Sequence, residues 1–446
     1  MKKWGKFAAI LFAAIMFLFC FTGCGTSAPA SDTSTPSDGS QATAPADNSG
    51  APTIKIGYVA PFTGDNSDCT NSTHWGNDLY LHQINDINGG ITIDGQKRQV
   101  EIIYRDSQSD PAVATDVATQ LVLNDKVDLL VGAWTPATTS PVAAVAERYQ
   151  MPCICPDSPA QAWKAGLEPG TDYTWSVGLC FDTVDMINAS VHLWDRLDFN
   201  KKVGLLLDNG VNGTTLAGLI GDTAKGYDLV DPGRYPQDTN DYTAMINQFK
   251  QQDVSVLYCS MVTSTYATLL KQCAQLNYYP MLATGGLAAH YDWTIDAINQ
   301  ICGNDTAGVY ACNECFWTPQ FGFGDDFLGM SADELVAQWE KDNNTQAPED
   351  MGYTLAGDYL IQQVLTQAGT LDKNTLRDTL SQCTINSMFG PQTAVGNVYF
   401  SPVVIVQWVP GTTYKYEPNI VSVAGKGTEN IPLKDFIPYY TGKTAS

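Results

Sequence analysis

Along most of the chain, apolar and polar residues come in short blocks whose period switches between that of a strand and that of a helix. Ile54-Lys-Ile-Gly-Tyr-Val-Ala predicts a strand bounded by Pro61. Trp75, Leu79, Tyr80, Ile84 and Ile87 then fall on one helical face, and Gly89-Gly90 supplies the positive-φ residue that ends a helix. Segment 100–104 predicts the next strand. Asp110-Pro111 predicts a helix start, because Asp caps free N–H groups and Pro fits the first turn. Val113, Val117, Leu121 and Val122 line the inner face of that helix. A strand over 127–131, a helix over 141–149 and a strand over 151–155 complete a first run. A second run begins near residue 200. Segment 203–207 is continuously apolar, as in a strand covered on both faces. Helices over 214–225, 242–251 and 264–276 alternate there with strands near Leu229, over 254–259 and over 281–283.

Strands alternating with helices of this length imply an α/β protein with parallel sheets covered on both faces. Two such runs imply two similar lobes. In open parallel sheets, ligands bind beyond the C-terminal strand ends. The expected site therefore draws on segments 61–71, 133–140, 156–163, 208–213, 260–264 and 284–287.

The first residues follow a different pattern. Lys2, Lys3 and Lys6 precede an apolar run over 7–21, followed by Thr22-Gly23-Cys24. A basic head, an apolar middle and small residues before a cleavage point describe an export signal. The run is too short to span a bilayer, which takes roughly 20 apolar residues. Cys24 after a small residue resembles a bacterial lipoprotein signal, in which 1–23 is removed and Cys24 carries lipid; Phe21 stands where Leu is usual. Residues 24–52 are almost entirely Ser, Thr, Ala, Pro, Gly and Asp, without an aromatic residue. Such a segment buries too little apolar surface to offset its ordering entropy. It is expected to be a lipid-anchored disordered tether with a reach of roughly 30 Å.

Roughly 390 residues remain for folding, more than one ordinary core holds, which again implies two domains. The formal net charge of −23 becomes −26 once the three Lys of the signal are removed. That opposes nucleic acid or anionic lipid as a partner of the folded body. Of twelve Cys, Cys20 leaves with the signal and Cys24 is the expected anchor. The others are scattered without a repeating spacing, and Cys153 and Cys155 share one predicted strand. An extracellular setting favours disulfides, but this scatter fits buried free thiols acting as small apolar side chains. Cys312-x-x-Cys315 is half of a zinc pattern with no second pair near it, so neither metal nor cofactor is expected. The chain has no G-x-S-x-G, H-E-x-x-H or phosphate-loop motif, and its four His are far apart in sequence. Gly322-Phe-Gly324 lacks the third glycine of a dinucleotide site, and Asp325-Asp326 is not a calcium-loop pattern. A binding protein is expected rather than an enzyme.

Four segments carry a family resemblance: Ile56-Gly-Tyr-Val-Ala-Pro-Phe-Thr-Gly64, Ile84-Asn-Asp-Ile-Asn-Gly-Gly-Ile91, Tyr104-Arg-Asp-Ser-Gln-Ser-Asp-Pro-Ala-Val-Ala and Leu121-Val-Leu-Asn-Asp-Lys-Val-Asp-Leu-Leu-Val-Gly132. Together they resemble the branched-chain amino-acid type of solute-binding protein, the extracytoplasmic receptors of ABC importers. The resemblance runs over about 53–409. It implies the type I periplasmic-binding fold: two Rossmann-like lobes with parallel sheets, a three-crossing hinge, and ligand trapped on closure. The crossings are expected near 173–178, 310–316 and 390–399. Lobe 1 would then hold 53–177 plus 314–392, and lobe 2 would hold 178–313 plus 393–440, in a monomer.

The resemblance also implies a site. In the relatives, the loop after the fourth strand holds a ligand carboxylate; here it is Ala133-Trp-Thr-Pro-Ala-Thr-Thr-Ser140. Trp134, Thr135, Ala137 and Thr138 lie next to a helix start, where free N–H groups and the helix dipole favour an anion. Pro136 removes one donor. In Cys155-Pro-Asp-Ser-Pro159, Ser158 is placed to donate a hydrogen bond, while Asp157 either faces an ammonium group or caps the following turn. The second lobe departs from the pattern. Asn212 and Met261 (or Val262) replace aromatic residues, and Gly285 stands where the relatives carry the acid that pairs with an amino group. A buried ammonium without a counter-charge costs several kcal/mol. Either Asp157 or Asp182 takes that role, or the ligand is not an α-amino acid. Trp134, Trp163 and Phe181 then offer flat faces to an aromatic carboxylate. Two functions follow: delivery of an amino acid or related carboxylate to an ABC permease, or a tethered sensor presenting an aromatic or other non-amino-acid carboxylate to a membrane receptor. No signalling domain follows Lys443, which favours transport.

Overall fold

The computed structural model describes residues 52–321 and 328–440. The signal segment, Cys24, the tether up to residue 51, Gly322-Phe-Gly324, Asp325-Asp326 and Lys443 lie outside the described residues.

The first run comprises β1 (Ile54–Ala60), α1 (Thr73–Leu81), a hairpin of β2 (Ile91–Ile93) and β3 (Gln96–Arg98), β4 (Val100–Asp106), α2 (Pro111–Gln120), β5 (Leu129–Gly132), α3 (Thr135–Tyr149), β6 (Cys153–Pro159), α4 (Ala160–Trp163) and β7 (Ser176–Phe181). After α5 (Thr183–Trp194), the second comprises β8 (Lys202–Leu206), α6 (Val211–Thr223), β9 (Asp228–Val230), α7 (Thr243–Gln251), β10 (Val256–Met261), α8 (Thr263–Gln275), β11 (Leu282–Gly286), α9 (Asp292–Cys302) and β12 (Cys312–Cys315). The chain closes with α10 (Ala332–Asn343), α11 (Asp350–Ala368), α12 (Lys373–Gln382), a hairpin of β13 (Thr384–Ser387) and β14 (Gly390–Thr393), then β15 (Val398–Ser401), β16 (Val403–Pro410) and β17 (Tyr416–Ala424).

Two large sheets result. The first is parallel throughout, in the order β15-β7-β6-β5-β1-β4. The second runs β17-β16-β12-β11-β10-β8-β9, parallel from β12 to β9, with β16 and β17 antiparallel. Parallel neighbours need long crossovers, which the helices supply. Strands covered on both faces must be apolar throughout, and every residue of β5, β7 and β10 is buried.

The chain moves between the sheets three times. It leaves the first after Phe181 into α5, which packs on β16 and β17. It returns after Cys315, and α11 packs on α1 and β6. It crosses finally at Pro402, the one residue between β15 and β16. The first and last passages lie beyond the expected 173–178 and 390–399, because β7 and β15 complete the first sheet before the chain leaves it.

Local chemistry explains most element ends. The Asp110 side chain accepts from the Ala112 and Val113 N–H groups at 2.7 and 3.0 Å, with Pro111 in the first turn, as its sequence predicts. A side chain at Gly90 (φ +98°) would put Cβ 2.3 Å from the Arg98 carbonyl oxygen. Helix α3 differs from expectation: it begins at Thr135, not 141, and Pro141 merely withdraws one donor from its interior. In α1, Thr73, Gly76, Asn77 and Tyr80 turn inward, and the π-turned segment that follows, His82–Ile87, leaves Ile87 62% exposed. Eight cysteines, from Cys153 to Cys383, are buried free thiols among the described residues.

Candidate solute-binding cleft

A cavity of about 620 Å³ lies between the two sheets, at the C-terminal ends of their strands. From the first sheet come Trp134 and Thr135 after β5, Asp157 of β6 and Phe181 of β7. Opposite them stand Asn212 at the start of α6, Ser260 of β10, Gly286 of β11 and Glu314 of β12. His290 and Tyr291 follow β11, and Glu349 precedes α11.

The wall from the first sheet is held in an uncommon backbone conformation. Trp134, Thr135 and Asp157 have φ of +65°, +59° and +56°. Positive φ is rare for bulky or β-branched residues and costs about 1–3 kcal/mol each. These turns set the N-terminus of the 15-residue α3 at the cavity, where the helix dipole favours an anion. The Thr135 hydroxyl and the Trp134 indole N–H are buried there without a hydrogen-bond partner. Buried donors are ordinarily satisfied, so the pair is suited to an acceptor brought by a ligand.

An ion pair crosses the cleft. His290 Nδ1 meets Glu349 Oε1, and His290 Nε2 donates to the Gly286 carbonyl at 2.9 Å. Burial works against the imidazolium, but the charge and hydrogen bond of Glu349, the Gly286 carbonyl and Glu314 together raise its pKa above the ordinary 6.5. Glu349 Oε2 also accepts from the Phe316 N–H at 3.3 Å. Phe316 in turn stacks on Phe181, with centroids 3.8 Å apart and planes 4° from parallel.

Other acids lie close by. Glu314 is wholly buried, its oxygens make no hydrogen bond of good geometry, and burial pushes its pKa up to about 7. Burial, then Glu349 and Asp350, raises Asp157 well above the usual carboxylate range. Asp350 behind them accepts from the Ser72 N–H and hydroxyl at 2.7 and 2.5 Å, and burial pushes it to about 7 as well.

Of the residues expected at the site, Trp134, Thr135, Ala137, Asp157, Phe181 and Asn212 line the cavity. Thr138, Ser158, Met261 and Gly285 are buried but do not line it; Val262 and Gly286 do. Thr138 bonds the Ser107 hydroxyl at 3.0 Å instead. Asp182 caps α5 through the Val184 N–H at 2.7 Å, and Trp163 packs on Tyr173, with ring centroids 4.7 Å apart. Gly286 has φ +63°, and a Cβ there would lie 3.0 Å from the Cys259 carbonyl oxygen, so this strand end carries no acid. Sequence reasoning did not find His290, Tyr291, Glu314, Phe316 or Glu349. One signal was available: Glu314 is the one charged residue of β12, a strand buried at every position. Among the described residues, no group of three His, Cys, Asp or Glu is placed to hold a metal ion.

A family profile described as periplasmic binding protein matches residues 53–413. The chain belongs to the periplasmic binding protein family. Members of that family are extracytoplasmic binding proteins rather than enzymes. Among solved structures, this periplasmic binding protein is similar to the leucine binding protein LivK of Thermotoga maritima, at 16% identity and a TM-score of 0.68, over 84% of this chain and 99% of that one. It is also similar to LivJ of Streptococcus pneumoniae in complex with isoleucine, at 16% identity and a TM-score of 0.67, over 83% and 100%. A third is an ABC-transporter solute binding protein of Rhodopseudomonas palustris in complex with 3,4-dihydroxybenzoic acid, at 16% identity and a TM-score of 0.65, over 88% and 99%. At such identities the likeness carries the two-lobed type I fold. No helix among the described residues of this periplasmic binding protein is long and apolar enough to cross a membrane.

Proposed function

We propose that this chain captures a small organic solute bearing a carboxylate between its two lobes and delivers it to an ABC permease. The observation that carries this reading is the pair of buried donors without partners, on Trp134 and Thr135, beside the N-terminus of α3 on the cavity wall. The lobes correspond to the two sheets, with passages after Phe181, after Cys315 and at Pro402. Solute stabilises the closed form, and the closed form docks. Lipid on Cys24 and the tether over 24–52 keep the monomeric receptor at the outer face of the cell membrane.

A second reading, an aromatic carboxylate presented to a membrane receptor, is favoured by the ring faces of Trp134, Phe181, Tyr291 and Phe316 on the cavity. One structurally similar protein holds 3,4-dihydroxybenzoic acid. A thermal-shift screen of amino acids, aromatic acids and short peptides tests both readings. A ligand at a hundred times its Kd adds about 2.7 kcal/mol of stability. A screen in which no carboxylate raises the melting temperature counts against the α3 site.

A further inference from the structure

We infer that a second cavity, reached from the other side of the His290–Glu349 pair, is an effector site for a small aromatic amine whose binding favours closure of the lobes. This cavity holds about 420 Å³, inside the roughly 300–1,000 Å³ usual for small-molecule sites. His290 and Glu349 line both it and the solute cavity. Its walls come from both halves of the molecule. Trp317, Val336, Glu340 and Ala347 belong to the first half, where α10 packs on α1 through Trp339 and Trp75, ring centroids 5.2 Å apart. The second half supplies Val406 and Trp408 of β16, which pair with Ile420 and Pro418 of β17, together with Tyr414 and Glu417.

The lining defines the ligand. The indole N–H groups of Trp317 and Trp408 donate to the Met388 carbonyl at 3.3 Å and to Asn313 Oδ1 at 3.1 Å, so these rings bring apolar surface and no free donor. No Lys or Arg lines the cavity, and both ring nitrogens of His290 are engaged. Glu340 and Glu417 come from opposite halves. The N–H groups of Thr413, Thr412 and Tyr414 bond Glu417 at 2.8, 3.0 and 3.3 Å and hold its carboxyl below the ordinary value, so it is ionised at neutral pH. Burial, then Glu340, pushes the Tyr414 hydroxyl up to about 12, so it stays neutral. Such a lining repels a carboxylate, which sets this cavity apart from the solute site. A protonated amine meets opposite charge on both walls, and its aromatic body covers Val406 and Ile420 while the Trp faces attract the cation. Separating the lobes pulls the walls apart, so the amine binds the closed form better and shifts the molecule toward it.

The test is calorimetric titration of the full mature chain with tryptamine and its neutral counterpart 3-ethylindole. Tryptamine is expected to bind at least about tenfold more tightly. Val336→Trp, which fills the second cavity, should abolish tryptamine binding, while Asn212→Trp at the solute cavity should leave it within about twofold. Glu340→Gln, at a half-buried position, should weaken it about fivefold and keeps the test open if Val336→Trp fails to fold. Fluorophores at Asn66 and Ser264, on opposite sides of a smaller gap between the halves, should show more energy transfer when tryptamine is added. Loss of binding in Asn212→Trp but not in Val336→Trp places the amine in the solute cavity and overturns the inference. Equal affinity for 3-ethylindole overturns it too, as does binding with no change in energy transfer. If tryptamine does not bind at all, the effector site falls, whereas the solute reading is decided separately by the carboxylate screen.

Discussion

His290 reaches across the cleft to Glu349, so the two halves of the molecule are joined by a charged pair that exists only when they are close together. The pair is buried and fully bonded: one ring nitrogen on Glu349, the other on Gly286, and the second Glu349 oxygen on the Phe316 N–H. A latch of this kind adds little net stability, since desolvation offsets its attraction, but breaking it from one side is expensive. His290→Ala should therefore destabilise the closed protein by about 3 kcal/mol, read as a lower urea midpoint. The double substitution His290→Leu, Glu349→Leu should recover most of that loss. A double variant as unstable as the single one would show that the pair does not act as a unit.

Stability should depend on pH in a direction set by the buried acids. Glu314 and Asp350 are pushed to about 7 from ordinary values of 4.5 and 3.8, by burial first. A carboxyl with a higher pKa folded than unfolded favours the fold fully below its unfolded value, and that contribution is lost as pH climbs toward its folded value. The raised pKa of His290 acts in the same direction. Glu314 also feels Glu349, which raises it further, and the Tyr258 hydroxyl and His290, which lower it. The gain in melting temperature of Glu314→Gln over the wild type should thus be absent near pH 4, grow up to about pH 7 and then level off. A gain independent of pH would contradict the assignment.

Thr135 and Thr138 should behave differently. The Thr135 hydroxyl is buried without a partner at the cavity, so Thr135→Val should weaken carboxylate binding by about 1 kcal/mol, roughly fivefold, and leave stability nearly unchanged. Thr138 bonds Ser107 behind the wall, so Thr138→Ala should cost about 1 kcal/mol of stability and act on binding only indirectly. Calorimetry and urea melts on both variants separate the two cases.

The thiols give an inexpensive check on the core. The eight buried thiols, among them Cys153, Cys155 and Cys180, should resist a thiol reagent in native buffer and all react once guanidinium unfolds the chain. Burial raises the pKa of Cys155 and Cys180, which slows them further. Fast native labelling of these positions would mean that the sheets are looser than described.

The strand-and-helix order was legible because period-two and period-3.6 patterns are local properties, and because Asp110-Pro111 and Gly89-Gly90 punctuate the chain through chemistry of their own. The cavity wall after β5 and β6 was legible too, since strand tips in parallel sheets face the site. His290 and Glu349 were not, because 58 intervening residues separate groups that only the packed lobes bring together. The strand to the second side of the cleft misled for a different reason. Gly285 in β11 marked only a missing acid, with Asp157 or Asp182 offered in its place, whereas Glu314 on the wall belongs to the neighbouring strand β12, a lateral relation that a single sequence does not contain.

Pro402 has one further implication. With Ser401 fixed in one sheet and Val403 in the other, no slack exists at that point for the halves to slide or separate. The permitted motion is a swing pivoting there, its arc lengthening with distance from the pivot. Fluorophores at Asn66 and Ser264, which face one another across a smaller gap, would report that arc as a change in energy transfer, while a probe beside the pivot would stay silent.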